Sequence, residues 1–268
     1  MSIRAIAFDL DDTLLRTDRT VMRADLDAIR AARKRGIEIL PASGRRFNSM
    51  EQTLRAMEHE GVVVTLNGAR IARCPGDTPV YERYVDPALC VEIAELAKEQ
   101  GVYVQYYMGE NFEYEADCEE SRLYSRLSGG GGVQVGDLGA YMRVENRPSK
   151  KLLFISLDEK KIRKMQDAMI ERFGSSLSIF RSKPIYLEVT HPEATKGGAL
   201  AWYCASRGIA SEEVLALGDG ENDLSMLEWA GYGVAVGNAE EAIKARVPYV
   251  TSSHMECGVA RAIWEYAL

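Results

Sequence analysis

The chain has little histidine, and its three copies, His59, His191 and His254, are too dispersed to suggest a metal site. Its five cysteines, Cys74, Cys90, Cys118, Cys204 and Cys257, contain no C-x-x-C pair, which removes zinc-ribbon and thioredoxin-like motifs. Their odd number leaves at least one thiol unpaired. No cationic stretch leads into an apolar one at the start, and no run of about eighteen apolar residues occurs, so neither a secretory leader nor a membrane span is expected. An excess of positive charge is missing too: the formal net charge of -7 argues against a broad nucleic-acid or anionic-membrane surface, though not against a small cationic pocket. Together these absences point to a soluble, reduced, cytoplasmic protein with no nucleic-acid or membrane partner; a monomer or homodimer is expected, without a sequence feature that chooses between them. There is no internal repeat.

At 268 residues with a hydrophobic share of 46%, the chain can build one large core or two modest ones. Its first third alternates short apolar runs with helical patterns: Ile3 to Phe8, a helix over Arg23 to Arg35, Ile37 to Leu40, a helix over Phe47 to His59, and Val62 to Leu66. With Gly36 and Gly61 as stops, this is the signature of βαβ units and a parallel sheet. The pattern resumes late, with a helix over Gly197 to Arg207, the run Val214 to Leu217, a short helix, Gly233 to Val236, another helix, and a strand at Tyr249-Val250.

Between these stretches the texture changes. Val102 to Tyr107 and Phe112 to Glu115 read as paired aromatic-rich strands around a turn at Gly109-Glu110-Asn111. Helices over Pro87 to Gln100 and Glu159 to Phe173, and strands over Leu152 to Leu157, Leu177 to Phe180 and Tyr186 to Val189, complete an α+β insert. Pro79 and Pro184 fall near its edges and suggest linkers. The expected fold is therefore α/β, with a parallel-sheet core over 1-82 and 185-268 and an insert over 83-184. Gly129 to Gly132 reads as a mobile loop, because no Lys-Ser or Lys-Thr helix start follows it.

Asp9-Leu10-Asp11-Asp12-Thr13 follows directly on Ile6-Ala7-Phe8, where a buried strand ends. Residues i and i+2 of an extended chain point the same way, so Asp9 and Asp11 face one small volume. In an open α/β sheet that volume lies in the ligand-binding crevice at the carboxyl ends of the strands. A helix cap is the alternative for any single aspartate, but it is weak for three in four residues. Ser43-Gly44-Arg45 follows the next strand and offers a hydroxyl and, if a helix begins there, amide donors for a phosphate oxygen; a plain N-cap is the competing reading of Ser43. Lys196 starts a helix, where a cation costs roughly 0.3–1 kcal/mol unless a phosphate or an acidic neighbour reverses the penalty. Gly218-Asp219-Gly220-Glu221-Asn222-Asp223 gives a second acidic strand end. It is not a dinucleotide fingerprint, since Asp223 stands where the third glycine belongs. Such oxygen-rich clusters suit magnesium. Asp219, closer to the strand, is the better ligand, and a plain helix cap is the alternative for Asp223.

In this order, Asp9-Leu10-Asp11-Asp12-Thr13, Ser43, Lys196 and Gly218-Asp219-x-x-Asn222-Asp223 resemble the motifs of haloacid dehalogenase superfamily phosphatases, specifically the Cof-type branch with a large type IIB cap inserted late. The resemblance spans essentially the whole chain and implies a Rossmann-like core whose inserted cap selects the substrate. It implies that Asp9 is the nucleophile and Asp11 the general acid/base, with Ser43 and Lys196 holding the phosphoryl group. Mg2+ would be bound by Asp9, the backbone carbonyl of Asp11 and Asp219, with Asn222 and Asp223 supporting that region. Asn67-Gly68-Ala69 matches a further segment of the branch, so Asn67 is a candidate substrate contact, with an Asn-Gly turn as the equal alternative. Gly44, Arg45 and Asn222 join the candidate phosphate and substrate contacts. Asp12 departs from the glycine common after the second aspartate, which bears on turn geometry more than on catalysis.

The implied reaction is Mg2+-dependent hydrolysis of a small-molecule phosphate ester, a sugar phosphate first and nucleotide, flavin or pyridoxal phosphates next. Asp9 would become a phosphoaspartate, and Asp11, with a pKa above that of Asp9, would protonate the leaving oxygen and later deprotonate water. A phosphomutase using the same aspartate and a non-catalytic phosphate-binding module are the alternatives, distinguished by release of inorganic phosphate.

Overall fold

A computed structural model of the protein describes residues 2–109, 111–128 and 131–268. Glu110 of the expected turn, and Gly129 and Gly130 of the glycine run, lie outside them. The chain begins with β1 (Ala5–Phe8), α1 (Arg23–Lys34), β2 (Glu38–Pro41), α2 (Phe47–Ala56), β3 (Gly61–Thr65), β4 (Arg70–Cys74) and β5 (Thr78–Glu82). It continues through α3 (Pro87–Gln100), β6 (Tyr103–Tyr106), β7 (Glu113–Tyr114), α4 (Glu119–Ser128), β8 (Val133–Gln134), α5 (Leu138–Glu145), β9 (Leu152–Ile155), α6 (Glu159–Phe173), β10 (Ser178–Lys183) and β11 (Tyr186–Thr190). It closes with α7 (Lys196–Ser206), β12 (Val214–Gly218), α8 (Leu224–Trp229), β13 (Tyr232–Ala235), α9 (Glu241–Lys244), β14 (Tyr249–Val250) and α10 (Gly258–Tyr266). Two units result: Met1–Tyr81 with Thr195–Leu268, and Glu82–Ala194.

The core unit holds a parallel sheet in the order β14-β13-β12-β1-β2. The continuous apolar run of β1 is explained by burial on both faces, as parallel strands require. Ile6 and Phe8 pack with Ala28 and Ile29 of α1 and Val259 and Ile263 of α10, while Ala5 and Ala7 pack with Ala199 and Leu200 of α7 and Met226 of α8. Phe8 is fully buried; truncating such a side chain to alanine costs about 3–5 kcal/mol. Because β1 lies between β2 and the late strand β12, the strand order reverses at β1, and a crevice opens beyond the carboxyl ends of the two neighbours.

Next to β2, β3 is tied in by a single parallel bridge, Ala42 with Val64. It then turns outward into an antiparallel sheet, β3-β4-β5. The strands β4 and β5 carry no strong alternation, and Pro79 sits within edge strand β5, a position where a missing N–H is tolerated.

The insert is a six-stranded sheet in the order β10-β11-β9-β6-β7-β8. One face is apolar: Val104, Tyr106, Leu152, Phe154, Leu187 and Val189 pack against Ile93 of α3, Met142 of α5 and Met165 of α6. Local chemistry fixes its helices. Asp86 caps α3 by accepting from Ala88 N at 2.8 Å, Pro87 opens it, and Gly101 closes it at φ 60°. The short α5, with Gly139 inside it, depends on the Asp137 cap and gives no periodic signal.

The expected return to the core at 185 needs correction. Pro184 sits in the turn between β10 and β11 rather than in a linker, and β11 pairs antiparallel with both β10 and β9. The second unit therefore runs to Ala194. All five cysteines are free thiols, and among the described residues no helix is long and apolar enough to cross a membrane.

Candidate active site

The ladder between β1 and β12 continues one residue past the strand, where Asp9 N donates to Leu217 O at 3.0 Å. The residues just beyond the two strands, Asp9 and Asp219, are thereby brought together. With Asp223 they form a trio in which one carboxylate oxygen of each lies within 4.8 Å of the others. Lys196, the first residue of α7 and fully buried, places Nζ 2.5 Å from Oδ1 of Asp9 and 2.5 Å from Oδ1 of Asp223. Two carboxylates thus offset the cost of a cation at a positive helix end.

Asp223 serves two purposes. Its Oδ1 meets Lys196, and its Oδ2 accepts from the backbone N–H groups of Asp219 and Gly220, both at 3.0 Å. The capping reading of Asp223 describes its Oδ2, while its Oδ1 is paired with Lys196. Gly218 is required here: a Cβ on it would lie 2.5 Å from Cβ of Asp223. Thr13, given no role by sequence reasoning, donates from Oγ1 to Asp219 Oδ1 at 2.8 Å. Ser225, also missed, accepts from Gly197 N at 3.0 Å and fixes the start of α7. Thr13 stood inside the aspartate motif; nothing in the sequence marked Ser225.

Electrostatics follow from this crowding. Burial pushes the Asp9 carboxyl well above its ordinary value; Lys196 opposes the shift, and Asp223, Asp219 and Asp11 add to it. Asp219 is pushed up to about 7, by burial first and the Asp223 charge second. Burial alone would lower the Lys196 ammonium, but Asp223 and then Asp9 reverse this and hold it above the usual lysine range. Four carboxylates, Asp9, Asp11, Asp219 and Asp223, face two cations, Lys196 and Arg45. The excess negative charge, the all-oxygen donor set and the short separations fit a hard divalent ion.

The Asp11 carboxylate stands outside the trio. Arg45 grips it, with Nε 2.7 Å from Oδ2 and Nη2 on Oδ1. Ser43 is 1% exposed, and its Oγ accepts from Arg45 N at 3.2 Å. Helix α2 starts at Phe47, where its pattern begins in the sequence, with Arg46 as its cap, so Ser43 lies in a loop and the competing reading of it as an N-cap does not hold. Asn67 adopts the left-handed turn conformation at φ 55° and is 1% exposed. Its Oδ1 accepts from Asn222 Nδ2 at 3.0 Å, and its side chain packs on Gly44, where an added Cβ would meet Nδ2 at 2.9 Å. The turn reading of Asn67-Gly68 describes this backbone, and the Asn67 side chain joins two loops. Asp12, at φ 57°, occupies the same left-handed region, which accounts for glycine being the easier residue there.

Known proteins match this chain along nearly its whole length. The model of the haloacid dehalogenase-like hydrolase family matches residues 6–263. A Haemophilus influenzae relative is 30% identical over 265 residues, covering 99% of this chain and 98% of its own. The pyridoxal phosphate phosphatase of Escherichia coli is 24% identical over 284 residues, covering 100% of both chains. Among solved structures, a subclass IIB sugar phosphatase of the same superfamily superposes with a TM-score of 0.83 over 98% of each chain at 24% identity, and so shares the fold. The chain belongs to the haloacid dehalogenase-like hydrolases, and its similar proteins include ones named as phosphatases.

Proposed function

We propose that this protein is a magnesium-dependent phosphatase of small phosphorylated metabolites, sugar phosphates first among them, working through a phosphoaspartate on Asp9. The observation that carries the reading is Lys196 held between Asp9 and Asp223, with Asp219 alongside. The Asp9 carboxylate, a buried cation and a cluster with excess negative charge share one small volume, which supports Asp9 as the nucleophile. Asp9, the carbonyl of Asp11 and Asp219 would hold the metal, with Asp223 behind them; when bound, magnesium supplies charge neutralisation between the carboxylates and the ester.

The chain's own residues supply the rest. An oxygen of Asp9 attacks phosphorus while the ester P–O bond breaks, and Lys196 offsets charge on the transferring group. Asp11 gives a proton to the departing oxygen. Water then attacks the aspartyl phosphate, and Asp11 takes the water's proton, returning Asp9 and releasing inorganic phosphate. Asp9 must be ionised to attack, yet burial first, and the neighbouring carboxylates after it, raise its pKa against the pull of Lys196. Asp9, Asp219 and the carbonyl of Asp11 would hold a divalent cation whose charge would favour the ionised form of Asp9. A sugar phosphatase and a pyridoxal phosphate phosphatase among the similar proteins support a small phosphate ester as substrate.

The test is phosphate release with and without magnesium across phosphorylated sugars, nucleotides and cofactors, beside Asp9→Asn and Asp11→Asn. Both variants should stay folded and lose nearly all turnover. Full activity in Asp9→Asn would remove the nucleophile assignment.

A further inference from the structure

The turn after β3 has an unusual backbone. Leu66, Asn67 and Gly68 take φ values of 52°, 55° and 99°, three successive residues in the region that side chains avoid. Conformations of this kind persist only where their surroundings over-determine them, and they concentrate at functional sites. Here the surroundings are the loops of the active site. Leu66 N donates to Arg45 O and Asn67 N to Ser43 O, each at 3.0 Å. The Asn67 side chain rests on Gly44 and accepts from Asn222 at 3.0 Å. Gly68 packs so closely under the residue before Lys196 that an added Cβ would lie 2.1 Å from Thr195 O. One turn therefore touches the loops that carry Ser43, Lys196 and Asn222, while Asn67 itself is buried.

We infer that Leu66-Asn67-Gly68 is the positioning element of the phosphoryl-transfer site. Asn67 fixes the amide of Asn222, and Gly68 fixes the start of α7, so that Lys196 and the β12 loop keep register with Ser43. The inference rests on the phosphatase reading and adds to it a residue that sets rate without touching the phosphate. A misplacement of about 1 Å in such a site costs up to about a hundredfold in rate.

Asn67→Gly separates the side chain from the backbone, because glycine accepts the same φ. With the best substrate of the panel, kcat should fall roughly tenfold to a hundredfold with KM changed less than about threefold. The melting temperature should stay within a few degrees of wild type. Asn67→Gly combined with Asn222→Ala should be no slower than the slower single variant, since the two share one bond. A wild-type kcat in Asn67→Gly, fully multiplicative losses in the double variant, or a kcat loss that only tracks the folded fraction would each overturn the inference. Should Asn67→Gly fail to fold, Asn67→Ser, whose side chain is too short to reach Asn222, carries the same expectations. A wild-type protein that releases no phosphate from any substrate overturns the phosphatase reading. An active wild type with an unimpaired Asn67 variant overturns only this inference.

Discussion

Arg45 holds both carboxylate oxygens of Asp11 in a bidentate ion pair. Paired charges in this geometry fix orientation as well as charge, because the guanidinium fork matches the carboxylate plane. Arg45 is a candidate substrate contact in the sequence, and in the structure its guanidinium lies on Asp11, the residue proposed for proton transfer. Arg45→Gln should therefore lower kcat/KM by about tenfold or more on alkyl phosphates, whose leaving oxygen needs a proton. On p-nitrophenyl phosphate, whose leaving group departs without one, the loss should be much smaller. Equal losses on both substrates would mean that Arg45 acts on the phosphoryl group itself.

Lys196→Met leaves Asp9 and Asp223 buried with no ammonium between them. Removing one partner of a buried ion pair costs roughly 3–5 kcal/mol. Chemical denaturation should show a loss of that order at neutral pH, narrowing as the pH falls and the carboxylates neutralise. Turnover should drop about a hundredfold to a thousandfold.

Asp25, 1% exposed in α1, caps α10 from outside that helix by accepting from Ala260 N at 2.7 Å. Burial pushes its pKa up to about 6. The folded state thus binds the proton more tightly than the unfolded chain, so stability is fully present below about pH 4 and is lost as pH rises through 6. The shift corresponds to about 3 kcal/mol. Asp25→Asn keeps the accepting oxygen without the charge. It should be more stable than wild type at pH 7 to 8 and indistinguishable below pH 4, as read by urea melts across that range.

Asp12→Gly tests the departure from the family's usual glycine. A left-handed residue with a side chain costs about 1–2 kcal/mol, and glycine returns roughly 0.5–1 kcal/mol of that through unfolded-state entropy. A net gain of up to about 1 kcal/mol follows, with turnover within about twofold of wild type, because Asn238 Nδ2 bonds the Asp12 carbonyl rather than its side chain. A large loss of activity would give the Asp12 carboxylate a role that its position does not suggest.

Features with a local cause were legible in the sequence. Apolar runs ending in aspartate marked β1 and β12, glycine stops marked the helices, and parallel pairing of the two strands brought Asp9 and Asp219 together. Lys196 at a helix start was informative because its position was unfavourable without acidic company. What stayed hidden depended on partners distant in the chain: Arg45 on Asp11, Asn222 on Asn67, Asp25 on the start of α10. Periodicity encodes which face of an element is buried and says nothing of which polar atoms meet across loops. The boundary at Pro184 failed for a related reason, since proline serves a hairpin turn as well as a linker. The strands β4 and β5 and the helix α5 lacked a repeating pattern long enough to read.

The most direct test of the account is acid quench of the enzyme during turnover of a phosphoryl-labelled substrate with magnesium, followed by mapping of the label. The label should sit on the peptide containing Asp9, in an acyl phosphate that hydroxylamine cleaves, and it should be absent from Asp9→Asn. Steady phosphate release with no label on the protein, or label retained in Asp9→Asn, would contradict it.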